Sequence, residues 1–249
     1  IANSQPTAEL ARSLGVVAEK IRIVHPGVTL PAAPQNAAAL QDFRQRHQLG
    51  NQRLLLSVGR LTTRKGLREF VQHALPAIIQ AAPDTLLAVV GEAPADSLHA
   101  SVQTRASIQA VADAAGIGQH LRFLGVITDP QELACAYESA TLHIFPVRQL
   151  PGDPEGFGMV AIEAAAHGLP TVAFATGGIV DAVAQGQSGH LVAPGDYPAL
   201  AQAAVQVLAD DPGAWQARAS AFAAQFAWPV MGQKLGGILV AGINLQTKD

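Results

Sequence analysis

The chain of 249 residues is 49% hydrophobic and 14% charged, with 16 basic and 19 acidic side chains and a formal net charge of −3. This composition supports a full buried core in one large domain or two small ones, and its slightly acidic balance excludes a general nucleic-acid binder, whose electrostatic footprint is basic. A single cysteine, Cys135, excludes an internal disulfide and a cysteine metal cluster.

No apolar run reaches the length of a membrane span, and the start carries no secretory signal. The first residue is Ile1 rather than Met, which points to a piece of a longer protein. Residues 1–34 have the character of an appendage. Ile1-Ala2-Asn3-Ser4 is expected to end a strand, and Thr7 to Leu14 to form a short helix stopped by Gly15. Lys20 to His25 alternates polar and apolar residues and predicts a strand, broken by Pro26-Gly27. Pro31 and Pro34 then mark a linker. These pieces are too few to make a core, so residues 1–34 are assigned to the tail of a preceding domain. The main domain is 35–228, and 229–249 is a C-terminal helix or tail.

Ala37 to Leu49 has helical spacing. A regular alternation follows. Apolar runs of strand length occur at Leu54–Val58, Leu86–Val90, Leu121–Gly125, Leu142–Phe145, Thr171–Phe174 and His190–Val192. Helical patterns lie between and after them: Leu67–Ala82 with a break expected at Pro76, Ala106–Ala115, a helix through Ala140 capped by Thr128 or Asp129, Met159–His167, Ile179–Ala184, Tyr197–Leu208 and Gly213–Phe226. Cys135 falls inside the helix before Ala140 as a buried, inert thiol, which fits a reducing compartment. Val230–Leu245 is also read as helix, although Gly236, Gly237 and Gly242 weaken the pattern. Short apolar strands alternating with helices predict an α/β fold: a doubly wound, Rossmann-like, parallel six-stranded sheet of order 3-2-1-4-5-6.

In such a sheet a ligand sits beyond the carboxyl ends of the strands where their order reverses, here between the first and fourth strands. The loop after the first is Gly59-Arg60-Leu61-Thr62-Thr63-Arg64-Lys65-Gly66; the fourth leads to Pro154-Glu155-Gly156-Phe157-Gly158-Met159-Val160-Ala161-Ile162-Glu163. The first supplies cations but has neither a dinucleotide fingerprint nor a P-loop. The second has a Gly-x-Gly turn that opens a helix, where backbone N–H groups and the helix dipole favour an anion. Its two carboxylates suit hydroxyl groups. Anion donors beside hydroxyl acceptors fit a nucleotide-sugar. Arg60 and Lys65 can neutralise a diphosphate without a metal, and no Asp-x-Asp or His/Cys ligand spacing implies one.

With these motifs in order, the chain resembles the C-terminal, donor-binding domain of a GT-B-fold retaining glycosyltransferase of group 1, family four. Matching stretches include Gly59-Arg60, Lys65-Gly66, Val90-Gly91-Glu92, Arg122 to Gly125, Phe145-Pro146, Glu155 to Glu163, Gly168 to Val172, Thr176-Gly177-Gly178, Asp181 and Gly186 to Gly189. The resemblance covers roughly Leu54 to Leu208. It implies that Arg60 and Lys65 contact the donor diphosphate, that Glu155 accepts hydrogen bonds from the donor sugar, and that Glu163 binds the ribose. It further implies donor contacts from Gly59, from the backbone of Gly156, Phe157 and Gly158, from Met159 and Val160, and from Val126 near the base. The implied donor is a UDP- or GDP-sugar, with no metal cofactor, for synthesis of a glycan, polysaccharide or glycolipid. The acceptor is unidentified. The implied partner is an absent N-terminal domain, without which the fragment turns over little or nothing. The implied location is the cytoplasm, with peripheral membrane contact, if any, through that other domain. A UDP-sugar epimerase of the same fold and a non-catalytic nucleotide-binding scaffold are the alternatives; a dehydrogenase is disfavoured by the absent Gly-x-Gly-x-x-Gly. Beside these, His143 is expected to be a core histidine, Trp215 and Trp228 packing anchors, Asp181 a local cap or ion pair, Glu92 a strand-end capping or surface residue, and Gly177-Gly178 a tight turn. The polar loop Val147 to Pro154 is either a donor-adapting or a mobile element.

Overall fold

The computed structural model describes residues 1–94 and 102–246, with side chains through residue 241. Helix α1 (Gln5–Ser13) precedes the main body, which begins with α2 (Ala37–Arg46) and β1 (Arg53–Val58). There follow α3 (Leu67–His73), α4 (Leu75–Ala81), β2 (Thr85–Val90), α5 (Arg105–Ala114), β3 (Leu121–Gly125) and α6 (Pro130–Ser139). The second half runs β4 (Leu142–Phe145), α7 (Met159–Ala166), β5 (Thr171–Phe174), α8 (Ile179–Ala182) and β6 (Gly189–Val192). Helices α9 (Tyr197–Ala209), α10 (Pro212–Ala223) and α11 (Trp228–Gln246) close the chain.

The strands form one parallel sheet of order β3-β2-β1-β4-β5-β6, the order expected. Continuous apolar runs make sense here because both faces are covered. Strand periodicity assigns the residues: Leu55, Leu87, Val89, Leu142 and Ile144 pack with Phe70, Ile78 and Leu200 on one face. Their neighbours Leu54, Leu56, Leu86 and Ala88 pack with Phe43, Cys135 and Tyr137 on the other. Burial raises the Cys135 thiol pKa, consistent with an inert sulfur. Strand β1 pairs with β2 over its whole length but with β4 only at Leu55↔Leu142 and Leu56↔His143. The chain therefore leaves the ends of β1 and β4 in opposite directions across the sheet, and a crevice opens between their loops.

Local chemistry sets several boundaries. The break near Pro76 occurs at Ala74, between α3 and α4, because proline cannot donate the helical hydrogen bond. Asp129, not Thr128, caps α6 by accepting from the Glu132 N–H at 3.1 Å. The glycines of the last segment do not stop α11. No helix among the described residues is long and apolar enough to cross a membrane.

Two sequence-based expectations fail in the first segment. Lys20 to His25 is not a strand: Ala18–Lys20 is a single 3-10 turn, and only Ile23 bridges, in parallel, to Ala2. Likewise Ile1 to Ser4 contributes that one bridge and no strand. Each stretch meets the other at one position, and alternation without a longer partner makes no ladder. One further expectation needs correction. Trp215 is buried, but Trp228 is 54% exposed and lies over Gly27, its indole N–H donating to Thr29 Oγ1 at 3.2 Å. Nearby, the Val28 N–H donates to the Phe226 carbonyl at 2.7 Å and Val28 bridges to Ala227.

Gly66 brings the crevice loops together. Its φ is +69°, and a Cβ there would lie 2.2 Å from the Pro146 carbonyl oxygen just beyond β4. Gly66→Ala is expected to cost about 2 kcal/mol or more, from left-handed strain and forced separation of the two loops. Gly232→Ala, in open space on α11, is expected to be neutral or to stabilise by up to about 1 kcal/mol. Denaturant unfolding of both variants checks this; equal effects would contradict the loop contact.

Candidate functional site

Strand β1 delivers its loop alongside the end of β2: the Gly59 N–H donates to the Val90 carbonyl and the Leu61 N–H to the Glu92 carbonyl, each at 2.9 Å. Glu92 thus serves through its backbone, while its side chain is exposed. Thr63–Lys65 then form a 3-10 turn ending at Gly66. From this turn the Lys65 ammonium reaches across the crevice to Glu155 Oε2 at 2.8 Å, and the Arg64 guanidinium bonds the same oxygen. Arg64 also pairs with Asp153 at 3.1 Å, and Lys65 sits 4.7 Å from the centroid of Phe145. Glu155, Arg64 and Lys65 are 13%, 13% and 17% exposed, so mutual neutralisation matters here more than at a surface.

The protonation states follow from burial and charge together. Burial pushes the Glu155 carboxyl up, but Lys65 and Arg64 outweigh it and hold the group below its ordinary value. Burial lowers the Lys65 pKa, Glu155 pulls it back up, and Arg64 and Arg60 add to the lowering. Arg60 is exposed at the start of the loop. Arg64 and Lys65 pair with Glu155 and Asp153, and Arg60 adds a third cation close enough to act on Lys65, so the wall carries a positive excess of charge. Among the described residues, only Oε2 of Glu155 has a partner, and Oε1 remains open.

The loop from β4 to Glu155 is held by more than that carboxylate. The Arg148 N–H donates to the Arg64 carbonyl at 2.8 Å, and its guanidinium bonds Glu69 at 2.9 Å. Beyond Glu155, Gly158 has φ +92° and caps α7 without a side chain. Among the described residues, the N–H groups of Gly156 to Val160 have no protein acceptor. Gly177 and Gly178 act as the floor of this turn: the Gly178 N–H donates to the Glu155 carbonyl at 2.8 Å, and a Cβ on Gly178 would lie 2.1 Å from the Gly156 oxygen. The Phe157 side chain is buried and stacks on His25 at 5.4 Å, leaving only its backbone for a ligand.

Further along α7, Glu163 accepts a hydrogen bond from the Tyr137 hydroxyl at 3.0 Å. Burial, then the Glu163 charge, drives the Tyr137 pKa well above its ordinary value, so it stays a donor. Glu163 and Met159 border a cavity of about 510 Å³ with Tyr137, Gln131, Pro130 and the linker around Val28. The expected site residues therefore form two groups. Lys65 and Glu155 touch; Glu163 lines a neighbouring cavity whose walls do not include them. Val126 is exposed beyond β3, next to a smaller cavity of about 220 Å³ lined by Gly125, Phe123 and Gly91. Val160 is half-buried on α7.

His143 is a core residue, as expected. Its Nδ1 lies 3.1 Å from Thr171 Oγ1, and burial lowers its pKa to about 3, so it is neutral. Its Nε2 has no partner. Asp181 is not a local cap. Its Oδ2 accepts the Gln5 N–H at 2.7 Å and lies 2.9 Å from His25 Nε2, tying the first segment to α8. Arg64, Tyr137 and Asp181 escaped prediction as partners; only Arg64 carried a hint, as the cation next to Lys65. Among the described residues no three His, Cys, Asp or Glu side chains converge as a metal site.

A family model described as glycosyl transferases group 1 matches residues 52–210, more than half of the chain. The chain belongs to that family. Both walls of the crevice lie inside the match. The chain is 32% identical over 187 residues to a GDP-mannose-dependent alpha-(1-6)-phosphatidylinositol monomannoside mannosyltransferase of Mycolicibacterium smegmatis, covering 74% of this chain and 46% of that protein. It is 30% identical over 251 residues to a D-inositol 3-phosphate glycosyltransferase of Corynebacterium aurimucosum, covering 99% and 57%. In fold it is similar to Alr3699/HepE of Anabaena, solved in complex with UDP and glucose, with a TM-score of 0.82, 23% identity, and coverage of 96% of this chain and 62% of that one. This group 1 chain thus spans about half the length of the curated relatives it matches.

The Glu155 pairing has a pH signature. Its folded pKa is depressed, so ionised Glu155 adds stability above its ordinary value of 4.5, and that contribution is lost as pH falls through the lower folded value. Glu155→Gln leaves two buried cations underpaired and is expected to cost about 2 kcal/mol at pH 7. The gap to wild type should narrow as the pH drops below 4.5. Denaturant unfolding across pH 3 to 7, as about the accessible window, reads this; a constant gap would rule out the charge pairing as its cause.

Proposed function

We propose that the chain is the donor-binding half of a retaining glycosyltransferase that takes its sugar from a UDP- or GDP-sugar without a metal cofactor. One observation carries this: Glu155, held on one oxygen by Lys65 and Arg64, stands beside a glycine-started helix whose first N–H groups are open. Arg60, Lys65 and those N–H groups, with Gly59 at the loop start, offer positive charge where a leaving diphosphate gains negative charge, which stabilises the transition state. Glu155 Oε1 accepts from hydroxyls of the donor sugar, and Glu163 Oε1 from the ribose. The base lies toward Val126.

The family membership supports transfer chemistry, and the names of the relatives support nucleotide-sugar donors. One relative's name specifies GDP-mannose, and the Anabaena protein was solved with UDP. Two relatives are named for inositol-containing acceptors, which makes such polyols or their lipids the first acceptors to test, with glycan or glycolipid synthesis as the setting. The acceptor half belongs to the part of the relatives' length that this chain does not span, residues 1–34 being the tail of that half. We place the whole protein in the cytoplasm, with any membrane contact made through that half.

Calorimetry with UDP, GDP and NAD, with and without chelator, tests the proposal. Binding of UDP or GDP that is indifferent to chelator is expected; NAD binding with no nucleoside diphosphate binding would sink it. Glu163→Ala should weaken nucleotide binding by about ten-fold or more. Glu155→Ala should chiefly flatten the preference among sugar donors. Indifference of both variants would contradict the two roles.

A further inference from the structure

The first segment reaches the donor turn directly. Ser4 is fully buried, and its hydroxyl donates to the Gly156 carbonyl at 2.7 Å. Ser4 Oγ also caps α1 by accepting the Thr7 N–H at 3.2 Å, and Thr7 Oγ1 lies 2.9 Å from it and, more distantly, 3.5 Å from the Gly156 carbonyl. Two other ties fix this arrangement. Asp181, on α8 behind the turn, accepts the Gln5 N–H and faces His25, and the His25 ring stacks on Phe157.

The consequence is geometric. A trans peptide is planar, with its carbonyl and N–H pointing in opposite directions, and the chain has no cis peptide among its described residues. The Gly156 carbonyl is turned to Ser4, so the Phe157 N–H is turned away from it. The Glu155 carbonyl is turned to the Gly178 N–H, so the Gly156 N–H also points away from its support. Neither N–H has a protein acceptor among the described residues. Two consecutive donors are thereby left open on the side away from their supports, where an anion can accept from them. One of the two supports comes from the sheet domain and the other from the segment that precedes it.

We propose that Ser4 is a positioning residue of the donor site: by fixing the Gly156–Phe157 peptide it aims the Phe157 N–H at the donor diphosphate. This rests on the nucleotide-sugar function proposed above. It makes Ser4 part of the donor site rather than of a passive lead-in.

The test compares UDP and GDP with uridine and guanosine by calorimetry on the full chain. Ser4→Ala is expected to weaken diphosphate binding about five-fold and to leave nucleoside binding unchanged, because the peptide faces only the phosphates. Glu9→Gly, an exposed site on α1, loosens that helix by an amount similar to loss of the cap without touching Gly156; it should bind diphosphate as wild type does. Equal losses for diphosphate and nucleoside, equal losses in the two variants, or wild-type binding by Ser4→Ala each overturn the role of Ser4 while leaving the donor site in place. A wild-type chain that binds no nucleoside diphosphate overturns the functional proposal and this one with it.

Discussion

A buried carboxylate shared by two cations sets the geometry of the crevice. Glu155 comes from the loop after β4, Arg64 and Lys65 from the loop after β1, and none of the three is well solvated. Each charge withdrawn from water needs a partner. The pairing therefore requires that the two loops meet, which the reversal of strand order at β1 and β4 allows and the Gly66–Pro146 approach enforces. The same device recurs on α7. Tyr137 holds one oxygen of Glu163 as the cations hold one oxygen of Glu155. Each carboxylate is oriented through one atom and offers the other, which lowers the entropy a ligand must remove on binding.

The fold was largely legible in the sequence because burial on both faces writes each strand as an uninterrupted apolar run. Leu54–Val58 and Leu86–Val90 are unmistakable for that reason, and they pair over their whole length. The break at Pro76 follows from one missing N–H. Strand order in turn sets the loops of Lys65 and Glu155 opposite each other, where the two side chains meet. Alternation misleads at Lys20 to His25, where the pattern is present but only Ile23 finds a strand partner.

Illegible features were those fixed by contacts between residues far apart in the chain. Tyr137 reaches Glu163 from another helix, and Asp181 meets Gln5 and His25 across most of the domain. No local spacing encodes such pairs. Arg64 differs: it lies next to Lys65, but only the 3-10 turn at Thr63–Lys65 directs both cations to one oxygen. Trp228, expected as a packing anchor like Trp215, stays half in solvent because its aromatic bulk covers the linker at Gly27 rather than the core.

That covering has a mechanical meaning. Val28 bridges to Ala227 and the Trp228 indole clasps Thr29, so the polypeptide enters and leaves the sheet domain side by side. The crossing clamps the connector at one place, while Ser4, Gln5 and His25 grip the turn and α8 at another. A segment held at two separate points cannot pivot freely at either, so a pull on residues 1–28 is passed to the turn at Gly156 through Ser4.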